Sequence, residues 1–205
     1  MNSIAQFFEG RITYRLEFFN TSPFPDSIFR MMYNDMDTSE TLFYSNGNYK
    51  TITNKGKSVT LLNSELNGLV YSYVENSDIA ICYDYIKKSG FNDSLIQVNE
   101  TDTILGIPCK KLNYVGNSLA RHYSNGIMYY SDKILIDKSR FENYKTGYFE
   151  LIFREYGTIP LKIILTGEDS IFGISLTAVK IDQLTIEPET FNIPIFREVF
   201  NMSLY

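Results

Sequence analysis

Apolar and polar residues alternate along much of the chain, as they do in strands that bury one face. In residues 11–19, apolar side chains stand at positions 12, 14, 16 and 18, with polar residues between them. Residues at a period of two lie on the same face of a strand. The pattern predicts strands at residues 11–19, 41–45, 49–53, 58–62, 69–73, 79–85, 94–98, 109–115, 127–130, 148–155, 161–166 and 174–186.

Turn signals separate these strands at intervals of about ten to fifteen residues. Asn46-Gly47 predicts a tight hairpin, because both residue types adopt positive φ at low cost. Asp137 is a candidate N-cap for a short helical turn over residues 137–144. Helical patterns do not alternate with the strands, which argues against a parallel βαβ sheet. The chain is therefore predicted to be mostly β with minor α, a curved antiparallel sheet covered by one or two helices.

One segment, residues 26–36, follows helical spacing instead. Its apolar side chains fall at positions i, i+3, i+4 and i+7 of one helix face: Phe29, Met32, Tyr33 and Met36. A curved sheet with few helices can leave an apolar cavity beneath them, so these side chains are candidates for the lining of a ligand cavity. The alternative is that they fill the core, which is the default use of an apolar stripe.

The chain carries no linker, internal repeat or low-complexity segment that would divide it. Its 205 residues suit one β-rich unit, so residues 1–205 are predicted to form a single domain. Pro188 and Pro194 mark an irregular C-terminal tail over residues 188–205, and the apolar side chains of this tail must pack on the domain or on a partner.

Charge and hydropathy exclude several classes of partner. The net charge is −5 and basic residues do not cluster, so neither nucleic acid nor an anionic membrane surface is expected as a partner. No apolar run approaches the roughly 20 residues of a transmembrane segment. Residues 1–6 lack the pattern of a signal peptide. The protein is therefore expected in the cytoplasm, or in the periplasm or cell envelope if a signal peptide was removed.

The sequence offers little catalytic chemistry. His122 is the single histidine. Because no Cys or carboxylate stands at ligand spacing from it, a position on the surface or in a turn is more typical of such a residue than a catalytic role. Neither a nucleophile elbow nor a phosphate-binding loop occurs. Close carboxylate pairs suit turns and exposed faces: Asp35/Asp37, Glu168/Asp169 and Glu187/Glu189. We therefore expect no catalytic residue, no metal site and no cofactor.

Two cysteines, Cys82 and Cys109, leave two interpretations open. They form one disulfide, which would stabilise the fold by restricting the unfolded chain. Alternatively, they are two separate buried thiols that behave as small hydrophobic side chains.

Four segments, taken in order, resemble a known family. They are residues 8–14 (FEGRITY), 42–50 (LFYSNGNYK), 104–112 (ILGIPCKKL) and 129–132 (YYSD). Across residues 7–195 the chain resembles envelope proteins of Bacteroidetes of the GLPGLI and related types. The resemblance implies a fold similar to the LolA and LolB lipoprotein carriers, which is an incomplete antiparallel barrel around helices with a hydrophobic cavity. It also implies a location in the periplasm or at the outer membrane, without known catalysis.

Together these features predict a non-catalytic binding domain of the cell envelope, with a lipid, acyl chain or lipoprotein as the ligand. The alternative is a structural or protein–protein interaction domain of the envelope with no small ligand. In that case the apolar tail or an exposed strand edge would bind an envelope protein.

Overall fold

Twelve strands form one curved sheet in the part of the chain that the structure describes. The computed structural model describes residues 7–66, 68–86, 94–116, 124–145, 148–167 and 170–202, and the side chains of Met32, Leu66 and Tyr148 lie outside that description. The helices are α1 (Asp26–Tyr33) and α2 (Tyr148–Tyr156). The strands are β1 (Gly10–Asn20), β2 (Ser39–Ser45), β3 (Asn48–Thr53), β4 (Ser58–Leu62), β5 (Leu69–Val74), β6 (Ile79–Asp84), β7 (Ser94–Ile104), β8 (Ile107–Val115), β9 (Asn125–Leu135), β10 (Thr158–Thr166), β11 (Phe172–Gln183) and β12 (Glu198–Met202).

The sheet consists of two meanders that meet where β1 pairs with β11. Its order is β12-β6-β5-β4-β3-β2-β1-β11-β10-β9-β8-β7. The predicted fold class, a mostly β, open curved sheet with two helices, is confirmed. The prediction of a purely antiparallel sheet is wrong at one pair, because β12 runs parallel to β6. The tail first packs against β4 and then pairs with β6 in the parallel direction.

The main core lies on the concave face. Alternate side chains of both meanders point inwards there, as the period of two predicts. Ile12 lies opposite Leu42, and Leu16 lies opposite Leu176 across the junction of the meanders. All four side chains are buried, and each contributes roughly 1.5–3 kcal/mol through the hydrophobic effect.

Residues 148–155 form the helix α2, so the prediction of a strand there is wrong. Leu151, Ile152 and Phe153 are consecutive and all buried, because the helix inserts into the hollow of the sheet and is covered on several sides. The ring of Phe153 lies 6.0 Å from the rings of both Tyr44 and Tyr49. A short, continuous apolar run cannot be assigned to helix or strand by periodicity alone.

The predicted turns are confirmed. Asn46 and Gly47 have φ of 48° and 87° in the β2–β3 hairpin. Asp137 caps a 3₁₀ helix over Lys138–Phe141, and its carboxylate accepts a hydrogen bond from the Ser139 N–H at 3.1 Å. The first helix ends at Tyr33, one turn earlier than the apolar stripe extends.

The C-terminal tail packs on the convex face and forms a second, smaller core. Ile186 and Phe191 cover Val59 and Leu61, which point outwards from β4. Further along, Phe196 stacks on Tyr71 at 6.2 Å between ring centroids and contacts Tyr73 edge-on at 5.1 Å. The chain then joins the sheet as the edge strand β12. The strand β4 is consequently covered on both faces.

Cys82 and Cys109 are free, buried thiols, so the disulfide that the sequence left open does not form in this structure. The strands that carry them, β6 and β8, have eight other described strands between them in the sheet order. Cys82 is the cross-strand partner of Tyr71, whereas the Cys109 thiol donates to the Ile107 carbonyl at 3.3 Å.

Candidate functional site

A cavity of about 210 Å³ lies between the concave face of the sheet and the beginning of α2. One wall consists of side chains from β2, β3 and β4: Glu40, Tyr49, Thr51 and Thr60. The opposite wall consists of aliphatic side chains from β10 and β11: Ile163, Leu165 and Leu176. Phe149 and Glu150 of α2, with Tyr85 just after β6, complete the lining. The cavity is therefore polar on one side and apolar on the other.

Strand periodicity explains why the first wall is polar. Glu40 shares the inner face of β2 with Leu42 and Tyr44, both of which are buried. Thr51 and Thr60 are cross-strand partners on β3 and β4, so their side chains lie side by side. This part of the sheet thus presents oxygen atoms to the interior at positions that elsewhere carry aliphatic side chains.

Glu150 is a buried carboxylate on α2. Its side chain is 2% exposed, and the hydroxyl group of Tyr49 donates a hydrogen bond to it. Burial raises the pKa of Tyr49, and the charge of Glu150 raises it further. Burial and then the same carboxylate raise the pKa of Tyr144 to about 12. Both phenol groups therefore remain protonated at neutral pH and can act as hydrogen-bond donors.

Glu40 is a partly buried carboxylate with no cationic partner in the described chain. None of the ion pairs within the described residues includes it. Burial raises the pKa of its carboxyl to about 7, and the nearby charge of Asp37 acts in the same direction. Its cross-strand neighbour Tyr14 donates a hydrogen bond to the Pro160 carbonyl at 2.8 Å.

Aromatic rings line the cavity beside the carboxylates. The ring centroids of Tyr49 and Phe149 are 6.2 Å apart, and Tyr85 contributes a third ring to the lining. Phe149 and Tyr85 are only partly buried, and both also pack against the main core.

The residues of the first helix that are predicted to line a cavity lie in a separate groove next to this cavity. Phe29, Tyr33 and Met36 line an open groove of about 330 Å³ between α1 and the end of β1. Tyr33 stacks on Phe29 at 4.5 Å between ring centroids. Leu16 also lines the groove and is the cross-strand partner of Leu176, which lines the cavity. The side chain of Met32 lies outside the described residues, and a role of these side chains in binding stays a prediction.

None of the other residues that the sequence singled out is among the described residues that line the cavity. His122 and the pair Glu168/Asp169 lie outside the described residues. Within the described ranges, no three His, Cys, Asp or Glu side chains come together in a way that could hold a metal ion. Neither described helix has the length and apolar composition needed to cross a membrane.

The polar side of the site, with Glu40 and Glu150, was not predicted from the sequence. A signal for Glu40 exists, because the period of two in β2 aligns it with Leu42 and Tyr44. No comparable signal exists for Glu150, because its position depends on the helix α2, and the sequence predicts a strand there.

Comparison with known proteins finds solved structures with a similar fold but no matching family. No family model and no curated protein matches the chain. PNGF-II in its C2 crystal form is 10% identical with a TM-score of 0.52, over 95% of this chain and 31% of that chain. An uncharacterized conserved protein from Thermus thermophilus is 8% identical with a TM-score of 0.46, over 95% of this chain and 91% of that chain. A LolA superfamily protein from Nitrosomonas europaea is 8% identical with a TM-score of 0.40, over 91% and 90%.

At these identities the likeness concerns the fold alone. This chain spans about a third of the length of PNGF-II. The resemblance of its motifs to GLPGLI-type envelope proteins stays a prediction.

Proposed function

We propose that this chain is a non-catalytic binding domain of the cell envelope, and that it holds the end of a lipid or acyl chain in the cavity beside α2. The envelope location rests on the resemblance of the sequence motifs. The ligand class rests on the cavity, which combines an aliphatic wall with a wall of hydrogen-bonding groups.

The size of the cavity limits the ligand. A volume of about 210 Å³ equals that of roughly seven water molecules at liquid density. It accommodates about six carbon atoms with a small head group, and it is too small for several long acyl chains.

Methyl NMR with 1-hexanol, a mimic of a short acyl chain with a polar end, tests the proposal. Saturable shifts are expected at the methyl groups of Ile163, Leu165 and Leu176. The variant Thr60→Phe fills the cavity from its polar wall and should abolish these shifts. Thr177→Phe is the control, because Thr177 lies next to Leu176 in β11 but on the opposite face of the sheet. Unchanged binding in Thr60→Phe would contradict the proposal.

A second candidate function is binding of an envelope protein at the C-terminal edge. All five residues of β12 are exposed, and Phe200 and Met202 are 48% and 50% exposed. Exposed strand edges bind partner strands through backbone hydrogen bonds. A pull-down from an envelope fraction with the full chain and with a chain that ends at Pro194 tests this function. Equal capture by both chains would argue against it.

A further inference from the structure

We propose that the cavity selects an organic cation, namely an ammonium group on a short apolar chain. This inference rests on the proposed function, since it names the head group of the ligand that the cavity would hold. Three features of the lining carry it: the carboxylates, the aromatic rings and the aliphatic wall.

The carboxylates give the lining of the cavity a negative charge. Glu40 and Glu150 both line the cavity, and no Lys, Arg or His is among the described residues that line it. Glu40 has no ion-pair partner among the described side chains, and an unbalanced charge away from water is costly. A bound ammonium group would supply a positive charge and donate hydrogen bonds to the carboxylates.

The aromatic rings favour an ammonium group over other cations. The face of an aromatic ring attracts a cation within about 6 Å of its centroid, and cages of such rings recognise alkylated ammonium groups. Tyr49, Tyr85 and Phe149 bring three rings to the same cavity as the carboxylates. An inorganic cation such as Ca²⁺ requires a shell of six to eight oxygen ligands, which a cavity with aromatic and aliphatic surface does not supply.

The aliphatic wall provides space for the chain that carries the ammonium group. Ile163 and Leu165 are successive inward-facing residues of β10. Leu176 of the neighbouring strand β11 is the cross-strand partner of Ile163. All three are buried. A ligand whose charged end lies at Glu40 and Glu150 would extend its alkyl chain along this wall. Anionic head groups are disfavoured, because the same carboxylates would repel them.

Three probes with the same chain length test the inference: n-hexylammonium, 1-hexanol and hexanoate. Isothermal titration at pH 8 measures their affinities for the full chain. Hexylammonium is expected to bind roughly tenfold more tightly than hexanol, since charge-assisted hydrogen bonds are stronger than neutral ones, and hexanoate is expected to bind most weakly.

Two charge variants identify the groups that recognise the cation. Glu40→Gln and Glu150→Gln should each weaken hexylammonium binding by roughly fivefold or more while leaving hexanol binding nearly unchanged. In Glu150→Gln, the amide oxygen can still accept the hydrogen bond from Tyr49. Glu155→Gln is the matched control, because Glu155 lies on the same helix but is paired with Arg154 outside the cavity.

One ring variant tests the aromatic contribution. Phe149→Leu keeps an apolar side chain but removes the ring, and it should weaken hexylammonium binding roughly threefold with little effect on hexanol. Equal affinities for all three probes would overturn the preference for a cation while leaving the proposed function intact. If none of the three probes binds, both the preference for a cation and the proposed function would be overturned.

Discussion

A single carboxylate on the inner face of β2 makes the stability of this protein depend on pH. Burial raises the pKa of Glu40 from its ordinary value of 4.5 to about 7. The ionised form is therefore less favourable in the folded protein than in the unfolded chain. Below pH 4.5 Glu40 is protonated in both states and lowers the free energy of unfolding little. As the pH rises to about 7, the unfavourable ionised form lowers the free energy of unfolding further, and above that pH the loss is constant.

Replacement of Glu40 by Gln removes this cost. Glu40→Gln is expected to raise the free energy of unfolding by up to about 3 kcal/mol at pH 8 and to change it little at pH 4. Urea unfolding at the two pH values measures the difference. Glu17→Gln is the control, because Glu17 is exposed and paired with Arg15. An equal gain at both pH values would mean that charge is not the cause.

At the residue scale, the sequence predicts positions better than it predicts interactions. The predicted strand, residues 41–45, begins one residue after Glu40; extending its period of two backwards places Glu40 on the inner face, but it cannot show that no cation lies nearby. Glu150 and Tyr49 are 101 residues apart in sequence, and their hydrogen bond depends on how α2 enters the sheet. The pKa changes at the site follow from such long-range contacts and could not be predicted.

Among the elements, the β2–β3 hairpin is fixed by its turn residues. Gly47 has a φ of 87°, and a Cβ atom added there would lie 3.0 Å from the Cβ atom of Arg140. The Arg140 guanidinium also donates a hydrogen bond to the Asn46 side chain at 3.0 Å. The hairpin therefore packs closely against the 3₁₀ helix that precedes α2.

Gly47→Ala is expected to lower the free energy of unfolding by about 2 kcal/mol, from backbone strain and from the displacement of Arg140. Gly106→Ala is the matched control, because Gly106 has a φ of 73° in the β7–β8 turn but no atom within 4 Å of the added Cβ. It should cost only about 1 kcal/mol, the strain alone. Chemical denaturation measures both, and equal losses would show that the contact with Arg140 is unimportant.

Most strands could be predicted because each alternates and is bounded by a turn. The helix α2 could not, although Phe149, Ile152, Phe153 and Tyr156 have helical spacing. Its residues also include a run of three buried side chains, which is equally typical of a buried strand. Only the hollow formed by the distant strands makes a buried helix of two turns favourable.

For the whole molecule, the tail contributes unequally along its length. Phe191 is 2% exposed and fills the second core, whereas every residue of β12 is exposed. Phe191→Ala is therefore expected to cost about 3–5 kcal/mol of stability. Ending the chain at Pro194 removes the contacts of Phe196 with two tyrosine rings, and it should cost only about 1–3 kcal/mol.

Thermal and urea unfolding of the two variants compare these losses, with Phe200→Ala as an exposed aromatic control that should change little. If the truncated chain fails to fold while Phe191→Ala folds, the edge strand contributes more to the fold than its exposure indicates.

The pairing of β1 with β11 imposes an order on folding during synthesis. The first six strands can assemble side by side as they leave the ribosome, but one edge of β1 has no neighbour until β11 follows. The chain between Asn20 and Phe172 takes roughly 8–30 s to synthesise at typical rates. During that interval the open edge can pair with other nascent chains, so rapid translation or a chaperone that covers this edge should increase the yield of correctly folded protein.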